Sequence, residues 1–428
     1  MEILSGVGAP TGRYCNLARL KTRPTFIPLP KGIKNGLTPR RASPEILLCS
    51  PGYPDNFGDA MTQRTTPPFR ADHVGSLLRP AELAEARAKA KRSEISPEQL
   101  RAVQDECIRE AVARQESVGI QAVTDGEFRR DWWHIDFLSG FDGVTLSTGD
   151  AYGEAKFKNT DEQPPFMLVT GKIRRTKPSM LDHFKFLKSV AKRTPKFTMP
   201  SPAMLHARAD RASLKKTYPD LDEFWEDLTR AYREEIADLY KAGCRYLQID
   251  DTTIAMMGDP KVQEQFKKLG DDPRKDNAMY AEAVNAAIRD VPEDMTVAIH
   301  TCRGNFKSTW LASGSYDFVA ETVFKRLEVD AFFLEYDTDR AGGFEPLRHV
   351  PKGKTVVLGL VSSKVPDLEK KDDLKRRIEA AAKYVPLEDL CLSPQCGFSS
   401  THHGNKLTAE DQWRKLGLVL EVSKSVWG

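Results

Sequence analysis

Apolar positions recur along this chain in two periods. Short apolar, often β-branched runs at residues 69–74, 120–124, 196–199, 245–249, 296–299, 330–334, 355–359 and 389–392 have the length and composition of buried strands. Between most of them the apolar residues fall three and four apart, the spacing of an amphipathic helix. Residues 97–118 are an instance. Ser96 is placed to cap, Pro97 opens the first turn, and Val103, Cys107, Ile108, Ala111 and Val112 fall near one face. Gly119 then stops the helix. Helices over 221–242, 277–289 and 409–426 follow the same rule. Eight strands alternating with helices predict an α/β fold, a (β/α)8 TIM barrel over residues 63–428. Residues 131–190 break the alternation and predict an antiparallel insertion after the second strand, placed to cover a cleft. A doubly wound open sheet is the competing arrangement, but no G-x-G-x-x-G turn follows an early strand.

Residues 1–62 differ from the rest. They are rich in Gly and Pro and show no sustained period. Up to Ala42 the only acidic residue is Glu2, against eight Lys or Arg. A disordered N-terminal extension is the plain reading. A mitochondrial leader is the functional one, although Pro24, Pro28 and Pro30 would break an amphipathic helix. Met61 is a further candidate start. The totals add exclusions. With 64 basic and 61 acidic residues the net charge is +3, which argues against a nucleic-acid partner. No run has the length of a membrane span. Seven scattered cysteines do not suggest a disulfide framework. A reducing compartment, the cytoplasm, is expected.

In a barrel of this kind the chemistry lies where the strands end. The predicted ends carry Ser76, Glu127, Ser201, Asp250, His300 with Cys302, Glu335, Ser362 with Ser363, and Cys396. His300 and Cys302 are two apart, so an extended chain aims both to one side. His300, Cys302, Glu335 and Cys396 together supply one nitrogen, two sulfurs and one oxygen, a tetrahedral Zn2+ shell. Each alone has a bland reading: a core histidine, a small core cysteine, a salt-bridged carboxylate. Their shared position at strand ends favours a site. His402 and His403, in Gly- and Ser-rich surroundings, are expected to face substrate or solvent.

The segments HVGS (73–76), DGE (125–127), QIDD (248–251), HTC (300–302), LEYD (334–337) and SPQCG (393–397) resemble the catalytic C-terminal barrel of cobalamin-independent methionine synthase, in order and over nearly all of residues 63–428. By that resemblance His300, Cys302, Glu335 and Cys396 hold a catalytic zinc. Ser76 would hold the carboxylate of homocysteine, and Glu127 and Asp250 its ammonium. His73, close to Ser76, is a further substrate-binding candidate. The chain lacks room for the family's N-terminal half. Residues 200–206, after the third strand, also lack the tryptophan that stacks on the folate pterin in the family. The resemblance is therefore to a short, single-barrel branch. The methyl donor stays open between a folate, a methylated corrinoid protein and another methylated compound. Trp132, Trp133 and His206 are candidate donor contacts.

A thiol is little ionised at neutral pH and becomes a nucleophile when a metal deprotonates it. Two thiolates and a carboxylate around Zn2+ leave a formal charge of about −1, so the metal would be a mild Lewis acid and the bound sulfur would keep its electron density. Two acids beyond the metal favour a cationic substrate group, hence an amino-acid thiol. The expected activity is methyl transfer to a thiol, homocysteine giving methionine. Two alternatives stand beside it: zinc-dependent alkyl transfer to another thiol such as coenzyme M, and a non-catalytic barrel binding zinc or an amino acid.

Overall fold

The computed structural model describes residues 64–147 and 165–428, all within one unit, Phe57–Gly428. The extension predicted over 1–62 lies outside the described residues. The fold is α/β, built on a parallel sheet. Its six strands stand in the order β10-β9-β8-β7-β6-β5: β5 Phe197–Pro200, β6 Tyr246–Asp251, β7 Thr296–Thr301, β8 Ala331–Glu335, β9 Thr355–Val361 and β10 Leu390–Pro394. Two-stranded pairs accompany it. Short β1, Ala122–Val123, runs parallel to β4, Thr194–Pro195. β2, Asp142–Ser147, pairs antiparallel with β3, Phe166–Arg174.

Each of the eight predicted apolar runs contains strand or bridge residues. The first is the poorest. Residues 69–74 contribute only a parallel bridge, Ala71 to Leu392. The reason is local: the Asp72 carboxylate accepts from the backbone N–H of Phe69 and of His73, which a longer ladder would have used.

The strand period decides what faces where. Tyr246, Ala298, Ala331, Phe333, Val357 and Cys391 share one buried cluster with Phe69, Val74 and Ala122. Their neighbours Leu247, Ile249, Val297, Ile299, Phe332 and Leu358 belong to the large core beneath the helices. One-residue steps thus alternate between two buried faces, which explains why these strands are apolar throughout. Three of the expected helices, Pro97–Val118, Leu221–Lys241 and Ala409–Trp427, lie where predicted to within a residue; the one expected over 277–289 starts earlier, at Pro273, because the Asp272 side chain caps it there. In helix Pro97–Val118 the Ser96 side chain accepts from the backbone of Gln99, and the Gln99 side chain accepts from the backbone of Ser96. Gly119 ends it in the left-handed region. Helix Ala409–Trp427 opens with the same reciprocal cap between Thr408 and Asp411. No helix among the described residues is long and apolar enough to cross a membrane.

Candidate active site

Strand alternation brings three of the predicted ligands together. Ala298 lies on the face shared with Tyr246 and Phe333, so His300, two residues on, continues that face, and Cys302 follows it. Cys396 arrives from just beyond β10. The ligating atoms of His300, Cys302 and Cys396 all lie within 4.8 Å of one another, with the two sulfurs 3.9 Å apart. All three residues are buried. Neither ring nitrogen of His300 has a hydrogen-bond partner. Leaving a buried imidazole unsatisfied is costly, and an imidazole beside two thiols is a donor set that suits zinc. The residues present therefore fit a metal ion.

Glu335, at the end of β8, is fully buried but stands outside that group of three. Its Oε2 accepts from the backbone N–H of Arg303 at 2.6 Å, and its Oε1 from Arg340 at 2.5 Å. The chain turns at Gly304 (φ +92°), immediately after the residue that makes the first of these bonds. Arg340 also reaches Asp337 at 3.2 Å.

The electrostatics of the group are asymmetric. The hydrogen bond between Cys302 and Cys396, with His300 beside them, holds the Cys396 thiol well below its ordinary range and pushes Cys302 up. Burial works against a charged His300, but Cys396, Asp250 and Glu335 outweigh it and raise its proton affinity. Burial likewise works against an ionised Glu335, and Lys364, Arg340 and Arg303 outweigh it, holding the carboxyl below the usual range.

The three residues open onto a cavity of about 430 Å³ that Ser76, Glu127 and Asp250 also line. Ser76 is packed against Gly397. Glu127 sits in a turn with two successive left-handed residues, Gly126 (φ +65°) and Glu127 itself (φ +60°). That conformation is uncommon for a side-chain-bearing residue and directs the carboxylate off the strand end. Thr198 donates to Glu127 Oε1 at 2.9 Å, and Arg130 stands 3.8 Å from it, while Oε2 is buried with no partner. Asp250 accepts from Gln248 at 2.6 Å. Burial pushes its carboxyl up to about 7, with Glu127 adding to the rise and His300 opposing it.

Other predicted residues fall elsewhere. His73 does not line the cavity; its Nε2 lies 3.1 Å from the Ala122 carbonyl, and burial with Lys196 nearby lowers its pKa to about 4. His206 is bound between Tyr280 (3.0 Å) and Arg211 (2.6 Å), also away from the cavity lining. Trp132 and Trp133 do line it. Trp132 stacks on Phe306 at 6.2 Å and meets the rings of His402 and His403 edge-on. Sequence reading missed Arg303, Arg340 and Lys364. Arg303 directly follows the HTC segment and Arg340 lies three residues after Asp337 of the LEYD segment, which were the available signals; Lys364 carries none, because Glu335 and Asp337 are distant from it in the chain.

Residues 69–415 match the family model of the cobalamin-independent synthase catalytic domain, and the chain belongs to that family. It is 47% identical over 374 residues to the uncharacterized protein YxjH of Bacillus subtilis, covering 86% of this chain and 98% of that one. A solved structure from Listeria monocytogenes, described as a candidate vitamin-B12-independent methionine synthase, is 38% identical with a TM-score of 0.67, covering 84% of this chain and 98% of its own. The 5-methyltetrahydropteroyltriglutamate–homocysteine methyltransferase of Flavobacterium johnsoniae is 25% identical over 339 residues, 78% of this chain but 40% of that longer protein. The family is thus one of methionine-synthase-like methyltransferases, as the six motifs implied.

Proposed function

We propose that this chain is a zinc-dependent methyltransferase that moves a methyl group to the sulfur of homocysteine and forms methionine. The observation that carries the reading is the buried group of His300, Cys302 and Cys396, whose imidazole has no protein partner, opening onto the cavity that Ser76, Glu127 and Asp250 line. His300, Cys302 and Cys396 would hold the metal, with Glu335 as the fourth ligand. Bound zinc supplies the Lewis acidity that keeps a substrate thiol ionised at neutral pH.

The chain's own residues do the rest. Ser76 receives the substrate carboxylate, and Glu127 and Asp250 receive its ammonium. The unpartnered Glu127 Oε2 offers an acceptor for that cation. Trp132 and Phe306 wall the cavity and limit water around the reacting sulfur. The methyl donor occupies the remaining space, toward Trp133 and Arg208. At the level of the fold, the reading is a (β/α)8 barrel with the β2–β3 pair inserted. Supporting it, the 69–74 segment bridges to β10 at Ala71, β4 leads straight into β5, and Phe69 and Ala122 share a cluster with residues of β6 to β10.

The test is metal analysis of the purified protein, followed by mass detection of methionine from homocysteine with several methyl donors. One zinc per chain, lost in Cys396→Ser together with activity, is the expected result. A protein without stoichiometric zinc, or a fully active Cys396→Ser variant, would refute the reading. A sulfonated thiol accepted in place of homocysteine would redirect it to another alkyl transfer.

A further inference from the structure

Lys364 is almost wholly buried, at 5% exposure, and its ammonium has no hydrogen-bond partner. A lone buried cation is expensive unless fixed charges nearby compensate it. The loop that carries it follows β9 and is tied down on both sides. Ser362 donates to Asp337 at 2.8 Å, and the backbone of Lys364 donates to Ser362. The Ser363 backbone N–H donates to the Gln395 side chain at 3.0 Å and its hydroxyl to the Gly397 carbonyl at 2.9 Å, so the loop lies against the residues flanking Cys396. The loop that carries Lys364 therefore lies between the acidic end of β8 and the Cys396 turn. Its charge is felt at Glu335, Asp337, Cys302 and Cys396.

Formal charges show what the lysine changes. With a divalent ion bound, two thiolates and the Glu335 and Asp337 carboxylates face Arg303, Arg340, Lys364 and the metal, an excess of about one positive charge. An arriving thiolate would bring that enclosed region close to neutral. A thioether would leave the positive excess in place. Without Lys364 the region is already neutral, and a thiolate would leave it negative in a low-dielectric interior.

We propose that Lys364 is a specificity-determining positioning residue: its buried ammonium reserves the His300–Cys302–Cys396 centre for one additional anionic sulfur, so the site selects a thiolate over a neutral thioether. Binding then releases the thiol proton to solvent and forms no covalent bond to the lysine. After methylation the sulfur is neutral, and the same charge no longer favours its staying. The inference rests on the zinc–thiol reading above and adds a residue that the motifs do not contain.

The experiment uses the zinc-loaded full chain, with homocysteine and methionine as probes in calorimetric titration. Zinc content and thermal unfolding are measured alongside. Lys364→Met and Lys364→Gln are expected to keep zinc and fold, to bind homocysteine at least about tenfold more weakly, and to bind methionine nearly unchanged. Lys364→Arg is expected to restore most of the homocysteine affinity. In turnover, the neutral variants should raise KM for the thiol more than they lower kcat. Unchanged homocysteine affinity in both neutral variants overturns the proposal and leaves the zinc–thiol reading standing. Equal losses for homocysteine and methionine, or loss of zinc in both neutral variants, also overturn it, because they assign Lys364 a structural role. A wild-type chain that takes up no zinc overturns both readings.

Discussion

Gly397 and Ser76 lie against each other: a β-carbon built on Gly397 would overlap the Ser76 hydroxyl and stand 3.0 Å from its β-carbon. The two come from opposite ends of the chain, and both line the cavity. Gly397→Ala is expected to displace Ser76 from its position. The thiol KM should rise several-fold, and stability should fall by about 1–3 kcal/mol, as for other overpacked interiors. Steady-state kinetics with chemical denaturation checks this; a variant with both values unchanged would show that Ser76 has room to move.

Glu127 lines the cavity, and one of its carboxylate oxygens is buried without a partner. Glu127→Gln keeps its shape and removes its charge. The expected result is a loss of about tenfold or more in affinity for homocysteine, with little change for the same thiol lacking its amino group. An equal loss for both compounds would mean that Glu127 does not meet the ammonium.

Below the site, Asp72 and Lys196 form a fully buried ion pair at 3.1 Å. Asp72 also accepts from Tyr246 at 2.9 Å, and Lys196 donates to the His73 carbonyl at 2.6 Å. Removing one charge strands the other. Lys196→Met should cost about 3–5 kcal/mol, and the double variant with Asp72→Asn should lose less than the two single losses combined. Urea denaturation of the four proteins closes the cycle, and strict additivity would argue against coupling.

Asp276 supplies a pH signature away from the site. Burial pushes its carboxyl up to about 6, with Asp271 and Asp272 adding to the rise and Arg211 opposing it, and its Oδ2 is unpartnered. The folded chain therefore holds this proton more tightly than the unfolded one, whose carboxyl titrates near about 4. The stability this group contributes is complete below about pH 4 and is lost as pH rises through about 6. Asp276→Asn should gain roughly 1 kcal/mol on wild type between about pH 5 and pH 8. A stability difference that stays flat over that range would place the proton elsewhere.

How far residues alone reveal this protein depends on the range of the interaction. Strand positions were readable because both faces of the sheet are buried, so each strand is an apolar run. The 69–74 segment was over-read, since one side chain, Asp72, takes the backbone donors that an extended ladder would use. His300, Cys302 and Cys396 were readable from strand periodicity and motif together. Glu335 was readable from the LEYD motif, but the bonds of Arg303 and Arg340 to its two oxygens were not. His73 and His206 looked available in the sequence; the Ala122 carbonyl occupies one, and Tyr280 with Arg211 the other. Lys364 was invisible, because the charges that give it meaning arrive from other strands.

The peptide N–H of Arg303, bonded to Glu335 one residue after Cys302, makes a main-chain group part of the centre. A designer could not transplant this cluster as side chains alone. The exit of β7, its turn at Gly304, and the neighbouring end of β8 would have to travel with it. Substitutions that alter the path of this turn would disturb the grouping of His300, Cys302 and Cys396 even with each of these side chains retained.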